Sequence, residues 1–289
     1  MLTSSLVEKV AYLYSLPDVA VRVNELLDSD KASNAELENI IVCDPALTAQ
    51  LLKLVNSAHY GFPGAVDTVS RAVSLIGHKE LRNMVMAATV TNTFKDIPNH
   101  LVDMETFWFH SITCAVLARS LAETQRCKER ERFFIAGLLH SIGKLVLFSQ
   151  YPKESVQVLS YQGQGDAAVI AAEQRIFGFT YADLSAALLK AWKLPDNIWQ
   201  MVASQLDPLN AQGNTQEACV LHVAAKITAS IEPCAMSTLN MEGLNPNYDP
   251  RAWQTLGLSE AQLKPLIWDT SSQAISLFGI IRPGSTLVF

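Results

Sequence analysis

Apolar residues recur along this chain at spacings of three and four, and hardly anywhere at a sustained spacing of two. Leu16, Val19, Val23, Leu26 and Leu27 make one such stripe, the signature of an amphipathic helix, whose 3.6-residue period gathers these positions onto one face. Ser33 and Glu36 then form an S-x-x-E capping box ahead of Leu37, Ile40 and Ile41. Asp44-Pro45 is a second start signal, since Asp accepts from free N–H groups and Pro suits the first helical position. Leu47, Leu51, Leu54 and Val55 line one face of the helix that follows. Gly61-Phe62-Pro63-Gly64 predicts a loop. A further helix is expected from Val69 to Ile76, with Gly77 as a left-handed cap, and Leu81, Val85 and Ala88 carry the next toward Phe94.

The second half repeats the theme. Phe107, His110, Cys114, Leu117 and Leu121 share one stripe, and Ile135, Leu138, Leu139 and Ile142 share part of another. Thr180 and Asp183 form a second capping box ahead of Leu184, Ala187, Leu188 and Ala191. That helix stops before Pro195, because proline disfavours a helical residue ahead of it. A turn-rich gap at Asp207-Pro208 and Gly213-Asn214 precedes a helix expected from Ala218 to Ile231. The stretch 232–250 reads as irregular, with short helices expected after Asp249-Pro250 and after Ser259. The fold class is all-α.

Composition narrows the function. Hydrophobic residues make up 49% and charged residues 17% of 289, against about 25% charged in an average chain. Net charge is −6, and no basic run stands out, which disfavours nucleic acid as a partner, since such binding begins with Lys and Arg on phosphates. Cys43, Cys114, Cys127, Cys219 and Cys234 include no C-x-x-C pair; this disfavours a disulfide framework and fits a reducing cytosol. No uninterrupted apolar run approaches the ~18 residues of a membrane helix. A cytoplasmic chain without membrane or cofactor is expected.

Three blocks carry a resemblance. The first runs from Asp44-Pro45-Ala46-Leu47 through Leu51-Leu52-Lys53-Leu54-Val55-Asn56-Ser57 and Tyr60-Gly61. It continues with Ala72-Val73-Ser74-Leu75-Ile76-Gly77 and Leu81-Arg82-Asn83. The second joins Phe107-Trp108-Phe109-His110-Ser111 to Ala136-Gly137-Leu138-Leu139-His140-Ser141-Ile142-Gly143-Lys144. The third holds Glu173, Phe177-Gly178, Leu188 and Trp192-Lys193-Leu194-Pro195. In this order, over about 200 residues, the chain resembles the HDOD family, degenerate relatives of the HD phosphohydrolases. The resemblance implies a multi-helix HD-like domain with an N-terminal helical lobe, assigned here to residues 14–210, with 211–289 as a C-terminal helical extension.

In active HD enzymes, histidines and aspartates hold divalent metal that activates water. The resemblance sets His110 and His140 at two such histidine positions, but the Asp of the HD pair is Ser141. Another family histidine position carries Tyr181, a His-His pair falls on Gln205 and Leu206, and a later aspartate position is Ala225. Serine and tyrosine are neutral at pH 7, and two imidazoles without a charged oxygen leave a metal under-coordinated. Asp183 is accounted for by its capping box. No catalytic or metal residue is therefore assigned. His110, His140, Ser141 and Tyr181 form a candidate remnant pocket, with structural hydrogen bonds as the plainer role of both histidines. Lys144 reads as a helix-end cap or a solvent-facing side chain, and His59, His78, His100 and His222 as needing no special role.

Asn56 and Ser57 are read as holding the loop after their helix; the functional alternative makes Asn56, His59, Tyr60 and Phe62 a partner-binding surface. The expected function is a non-enzymatic signal-transduction module acting through a protein partner. The alternatives are a metal-dependent phosphohydrolase or phosphodiesterase, and a sensor that binds a small nucleotide in the remnant pocket.

Overall fold

The structure, a computed structural model, describes residues 4–14, 16–29, 32–57, 60–62, 65–94, 97, 100–230 and 248–282. Helices α1 (Ser4–Leu13), α2 (Asp18–Asp28), α3 (Asn34–Ile41), α4 (Pro45–Val55) and α5 (Val69–Thr93) open the chain. Then come α6 (Met104–Thr124), α7 (Glu131–Leu139), α8 (Ile142–Gln150), α9 (Pro152–Leu159) and α10 (Asp166–Phe177). The series closes with α11 (Tyr181–Ala191), α12 (Asp196–Ala203), α13 (Thr215–Ala229), α14 (Pro250–Leu256) and α15 (Glu260–Ile281). Among the described residues there is no strand, as the three-and-four periodicity predicts.

The local start and stop signals act as read. Ser33 Oγ accepts from Glu36 N–H while the Glu36 carboxylate accepts from Ser33 N–H. Asp44 Oδ1 accepts from both Ala46 and Leu47 N–H at 3.0 Å. Thr180 and Asp183 cap α11 in the same reciprocal way. Gly77 takes φ +79°, ψ 165° and breaks α5 into the two helices expected on either side of it. One expectation fails: the helix after Ser259 is not short but 22 residues long, and it runs through Pro265. Proline gives up its own N–H bond and crowds the carbonyl one turn back, and buried Ile267, Ala274, Leu277 and Phe278 supply the packing that carries the helix on. Of the irregular stretch expected at 232–250, residues 232–247 lie outside the described residues, and Tyr248, Asp249 and Pro250 lead into α14.

The chain divides into two compact units. One comprises 1–15, 96–270 and 287–289; the other comprises 16–95 and 271–286. By contact, the described residues 211–230 and 248–270 group with the core that precedes them. In the smaller unit α2, α3 and α4 pack on α5. In the larger, α6 is the central element: Trp108, Phe109, Ile112, Cys114, Ala115, Val116, Leu117 and Leu121 are all buried, as expected of a helix apolar on most sides. It packs on α7 and α13. Gly137 makes the first contact close, since a Cβ there would lie 2.7 Å from the Ala115 Cα. Residues Glu131–Gln150 are apolar and long enough to cross a membrane by length and composition, yet 78% of that window is buried inside the protein.

Candidate functional site

The site is built where α7 ends and α8 begins. His140 caps α7, and its Nδ1 lies 2.6 Å from the Gly137 carbonyl oxygen. A carbonyl only accepts, so Nδ1 carries the hydrogen and the neutral ring keeps its lone pair on Nε2. Ser141 is buried and starts α8, where its carbonyl accepts from Lys144 N–H at 2.9 Å. Gly143 follows because nothing larger fits: a Cβ would lie 2.2 Å from the Tyr181 carbonyl oxygen. Its N–H donates to Ser185 Oγ at 2.8 Å, and that hydroxyl donates to Tyr181 O at 2.8 Å. This clasp draws the first turns of α8 and α11 together, and with them Lys144 and Tyr181. The Lys144 Nζ stands 4.4 Å from the centre of the Tyr181 ring, a cation–π contact.

Around this joint lies a cavity of about 100 Å³. His140 and Lys144 border it from the α7–α8 joint, Asp166, Val169 and Ile170 from α10, and Tyr181 from α11. Gln205 and Leu206 border it beyond α12, and His222, Ala225, Lys226 and Ala229 from α13. The positions at which the family pattern is broken, Tyr181, Gln205, Leu206 and Ala225, thus converge on one cavity beside His140.

Hydrogen bonds hold the wall. Gln205 Nε2 donates to the His140 carbonyl at 2.8 Å and to Val202 O at 3.0 Å. His222 Nδ1–H donates to Gln205 O at 2.7 Å, and its Nε2 accepts from Asp249 N–H at 2.9 Å. Both nitrogens of His222 are therefore engaged in the neutral form. Tyr181 N–H donates to Glu173 Oε2 at 2.8 Å.

The electrostatics follow from enclosure. Burial pushes His140 down to about 4, against the pull of its bond to Gly137, and the Lys144, His110 and Lys226 charges push the same way. His222 is depressed mainly by burial too. Lys144 is held below the ordinary lysine range by burial, and Glu173 is raised by burial. Burial also raises the Tyr181 hydroxyl, which stays protonated at neutral pH. Asp166 pairs with Lys226; burial raises its pKa, but the Lys226 hydrogen bond and charge outweigh this and leave it low.

These residues do not fit the metal centre of the HD pattern. Among the described residues, no three His, Cys, Asp or Glu side chains converge so as to hold a metal ion. The cavity offers His140 Nε2 and one carboxylate, Asp166, which Lys226 already occupies. Two ammonium groups border the same space and repel a dication.

Of the sequence-predicted residues, His140 and Tyr181 line the cavity, whereas His110 and Ser141 lie outside its lining. His110 is still close enough for its charge to act on His140. Lys144 corrects the reading of it as a cap or solvent-facing group: it sits in the first turn of α8, over the Tyr181 ring. His222 also corrects its reading, since it braces Gln205 and Asp249 at the cavity wall. Asp166 and Lys226 were missed. For Lys226 the available signal was spacing, since it follows His222 by one turn of α13.

In the smaller unit, Asn56 clasps its loop: Oδ1 accepts from Val66 N–H and Nδ2 donates to Val66 O, at 2.8 and 2.7 Å. Tyr60 donates to Glu80 and stacks on Phe62 with centroids 5.8 Å apart. His59 lies outside the described residues.

The all-helical architecture and this cavity define an HD-like helical domain. The family model for the HDOD domain matches residues 13–208, and the chain belongs to the HDOD family. An uncharacterised protein of Treponema pallidum (strain Nichols) is 23% identical over 198 residues, 68% of this chain. The match spans 38% of that relative's length. Among solved structures, a protein of Shewanella amazonensis SB2B with a provisional phosphohydrolase name has a TM-score of 0.76 at 22% identity, covering 97% of this chain and 99% of its own. An HDOD domain protein of unknown function from Geobacter sulfurreducens gives 0.71 at 21%, covering 94% and 93%. A Marinobacter aquaeolei VT8 protein with a provisional signal-transduction name gives 0.70 at 24%, covering 92% and 59%. At these identities the likeness concerns the fold.

Proposed function

We propose that this chain is a non-catalytic regulatory module of bacterial signal transduction that works through contacts with a protein partner in the cytoplasm. The observation that carries this reading is the charge inversion at the HD position. The family's ligand positions hold Ser141, Tyr181, Gln205, Leu206 and Ala225, while Lys144 and Lys226 border the cavity. Metal-assisted hydrolysis needs a cation to polarise the phosphoryl oxygen and generate hydroxide. A space bordered by two ammonium groups and one committed carboxylate disfavours such a metal cation. The described cysteines, Cys43, Cys114, Cys127 and Cys219, are all free, which supports a reducing compartment.

The test is direct. Chain purified without chelator is expected to carry no stoichiometric iron, manganese, nickel or zinc by elemental analysis. With those metals added it is expected to turn over neither phosphomonoesters nor phosphodiesters above the buffer blank. Affinity capture followed by reconstitution from purified components is expected to yield one partner protein that binds at 1:1. Stoichiometric metal with metal-dependent turnover would establish the HD hydrolase reading instead.

A further inference from the structure

A second cavity, of about 170 Å³, lies in the larger unit and shares no lining residue with the one beside His140. Arg132 borders it from the start of α7, Asn197 and Met201 from α12, and Asn214 and Glu217 from the start of α13. Its charges are already committed. Arg132 Nη2 is paired with Glu217, and its Nη1 stands 3.6 Å from Glu129 Oε2. Asn214 Nδ2 donates to Glu217 Oε1 at 2.9 Å. The pair is largely enclosed, with 16% of the arginine and 13% of the glutamate side chain exposed. A carboxylate entering here meets Glu217 and Glu129, and an ammonium meets Arg132; a neutral guest meets neither repulsion. Two polar atoms of the lining have no partner among the described residues: Arg132 Nε, whose N–H donates, and Asn197 Oδ1, which accepts. Both are buried, and a buried polar group left unsatisfied costs about 1–3 kcal/mol.

We propose that this cavity binds a small neutral carboxamide, whose C=O accepts from Arg132 Nε–H and whose N–H donates to Asn197 Oδ1. One planar group carries both an acceptor and a donor, the two complements that these atoms lack. Met201 and Ala218 supply apolar wall for the carbon attached to it. The volume sets the size: about 170 Å³ is close to the roughly 150 Å³ of an engineered cavity that takes up benzene. The guest is therefore a carboxamide with one ring or a short chain. Selectivity follows from the same groups. The corresponding acid loses the donor and brings a charge that two glutamates oppose; the amine loses the acceptor and brings a charge that arginine opposes. A site whose buried polar groups an analogue leaves unpaired rejects that analogue strongly. None of the residues at the HD position takes part, so the site stands or falls apart from the regulatory reading.

Isothermal calorimetry of the full chain with benzamide, benzoate and benzylamine distinguishes the outcomes. Benzamide is expected to bind saturably at 1:1, and the two charged analogues about tenfold more weakly or worse. Asn197→Leu removes the acceptor at similar size and is expected to weaken benzamide by about tenfold or more. Lys153→Met, on the exposed face of α9, is expected to leave it unchanged. Should Asn197→Leu misfold by circular dichroism, the wild-type protein still reports: benzamide is expected to move the Arg132 Nε–H resonance in a proton–nitrogen NMR spectrum. A flat titration with benzamide, or an unmoved Arg132 resonance at saturation, overturns the site while leaving the regulatory reading intact. Benzoate or benzylamine bound as tightly as benzamide overturns the carboxamide assignment. Equal affinities in folded Asn197→Leu and Lys153→Met place the amide elsewhere and overturn the proposal.

Discussion

Two single residues set the geometry and the charge of the cavity. Gly143 is the closer constraint, since the atoms a methyl group would meet belong to the backbone of Tyr181 and Ser185 and cannot swing aside. Overpacking of that kind costs about 1–3 kcal/mol and sometimes more. Gly143→Ala is expected at or above the top of that range, read as a fall in the urea midpoint at unchanged slope. His140 makes stability depend on pH. Its folded pKa of about 4 lies below the 6.5 of an unperturbed ring, so between those values the unfolded chain binds a proton that the native protein refuses. Stability contributed by the neutral ring is then present above pH 6.5 and lost as pH falls towards 4, on the order of 3 kcal/mol from 1.36 kcal/mol per pKa unit. Urea unfolding across this window is expected to show the loss in the wild-type protein and a smaller one in His140→Asn, which keeps a donor for Gly137 without a titrating ring. The same slope in both would place the pH dependence elsewhere.

At the scale of elements, the capping signals were legible because each acts within four residues. Ser33 with Glu36, Asp44 with Pro45, and Thr180 with Asp183 satisfy free N–H groups of their own helices, and no distant neighbour need agree. Asn56 reaches further, ten residues to Val66, and ties off the loop between α4 and α5. Val66 is buried, so Asn56→Ala strands its N–H and C=O, at a cost of about 1–3 kcal/mol for each group left unsatisfied. A fall of this size in thermal stability, with any partner affinity preserved at permissive temperature, would mark Asn56 as a clasp. Lost affinity at unchanged stability would place it on an interaction surface with Tyr60 and Phe62. The length of α15 was less legible: Pro265 reads as a stop when only local propensity is weighed, and burial along the following turns reverses that.

Over the whole molecule, the elements that border the cavity come from the larger unit, and they span residues 140 to 229. Family spacing led to four of the bordering positions one by one, Tyr181, Gln205, Leu206 and Ala225. It could not say which other side chains border the same space, because residue identity at a spacing does not reveal which distant helix packs beside it. Lys144 and Lys226 lie 82 residues apart in the chain, and each reads alone as a solvated lysine of a helix. Their shared border is a property of how α8 and α13 stand beside α10 and α11.

The amino-acid order by itself determined the helical class, the capped starts and the family. Each of these depends on short-range periodicity, hydrogen bonds within a turn, or residue identity at a known spacing. Packing alone decided that Tyr181, Gln205, Leu206 and Ala225 border one cavity, that His140 is pinned through Nδ1, and that Lys144 stands over a tyrosine ring. Those outcomes depend on desolvation and on close approach at Gly137 and Gly143, quantities that exist only once distant helices have been brought together.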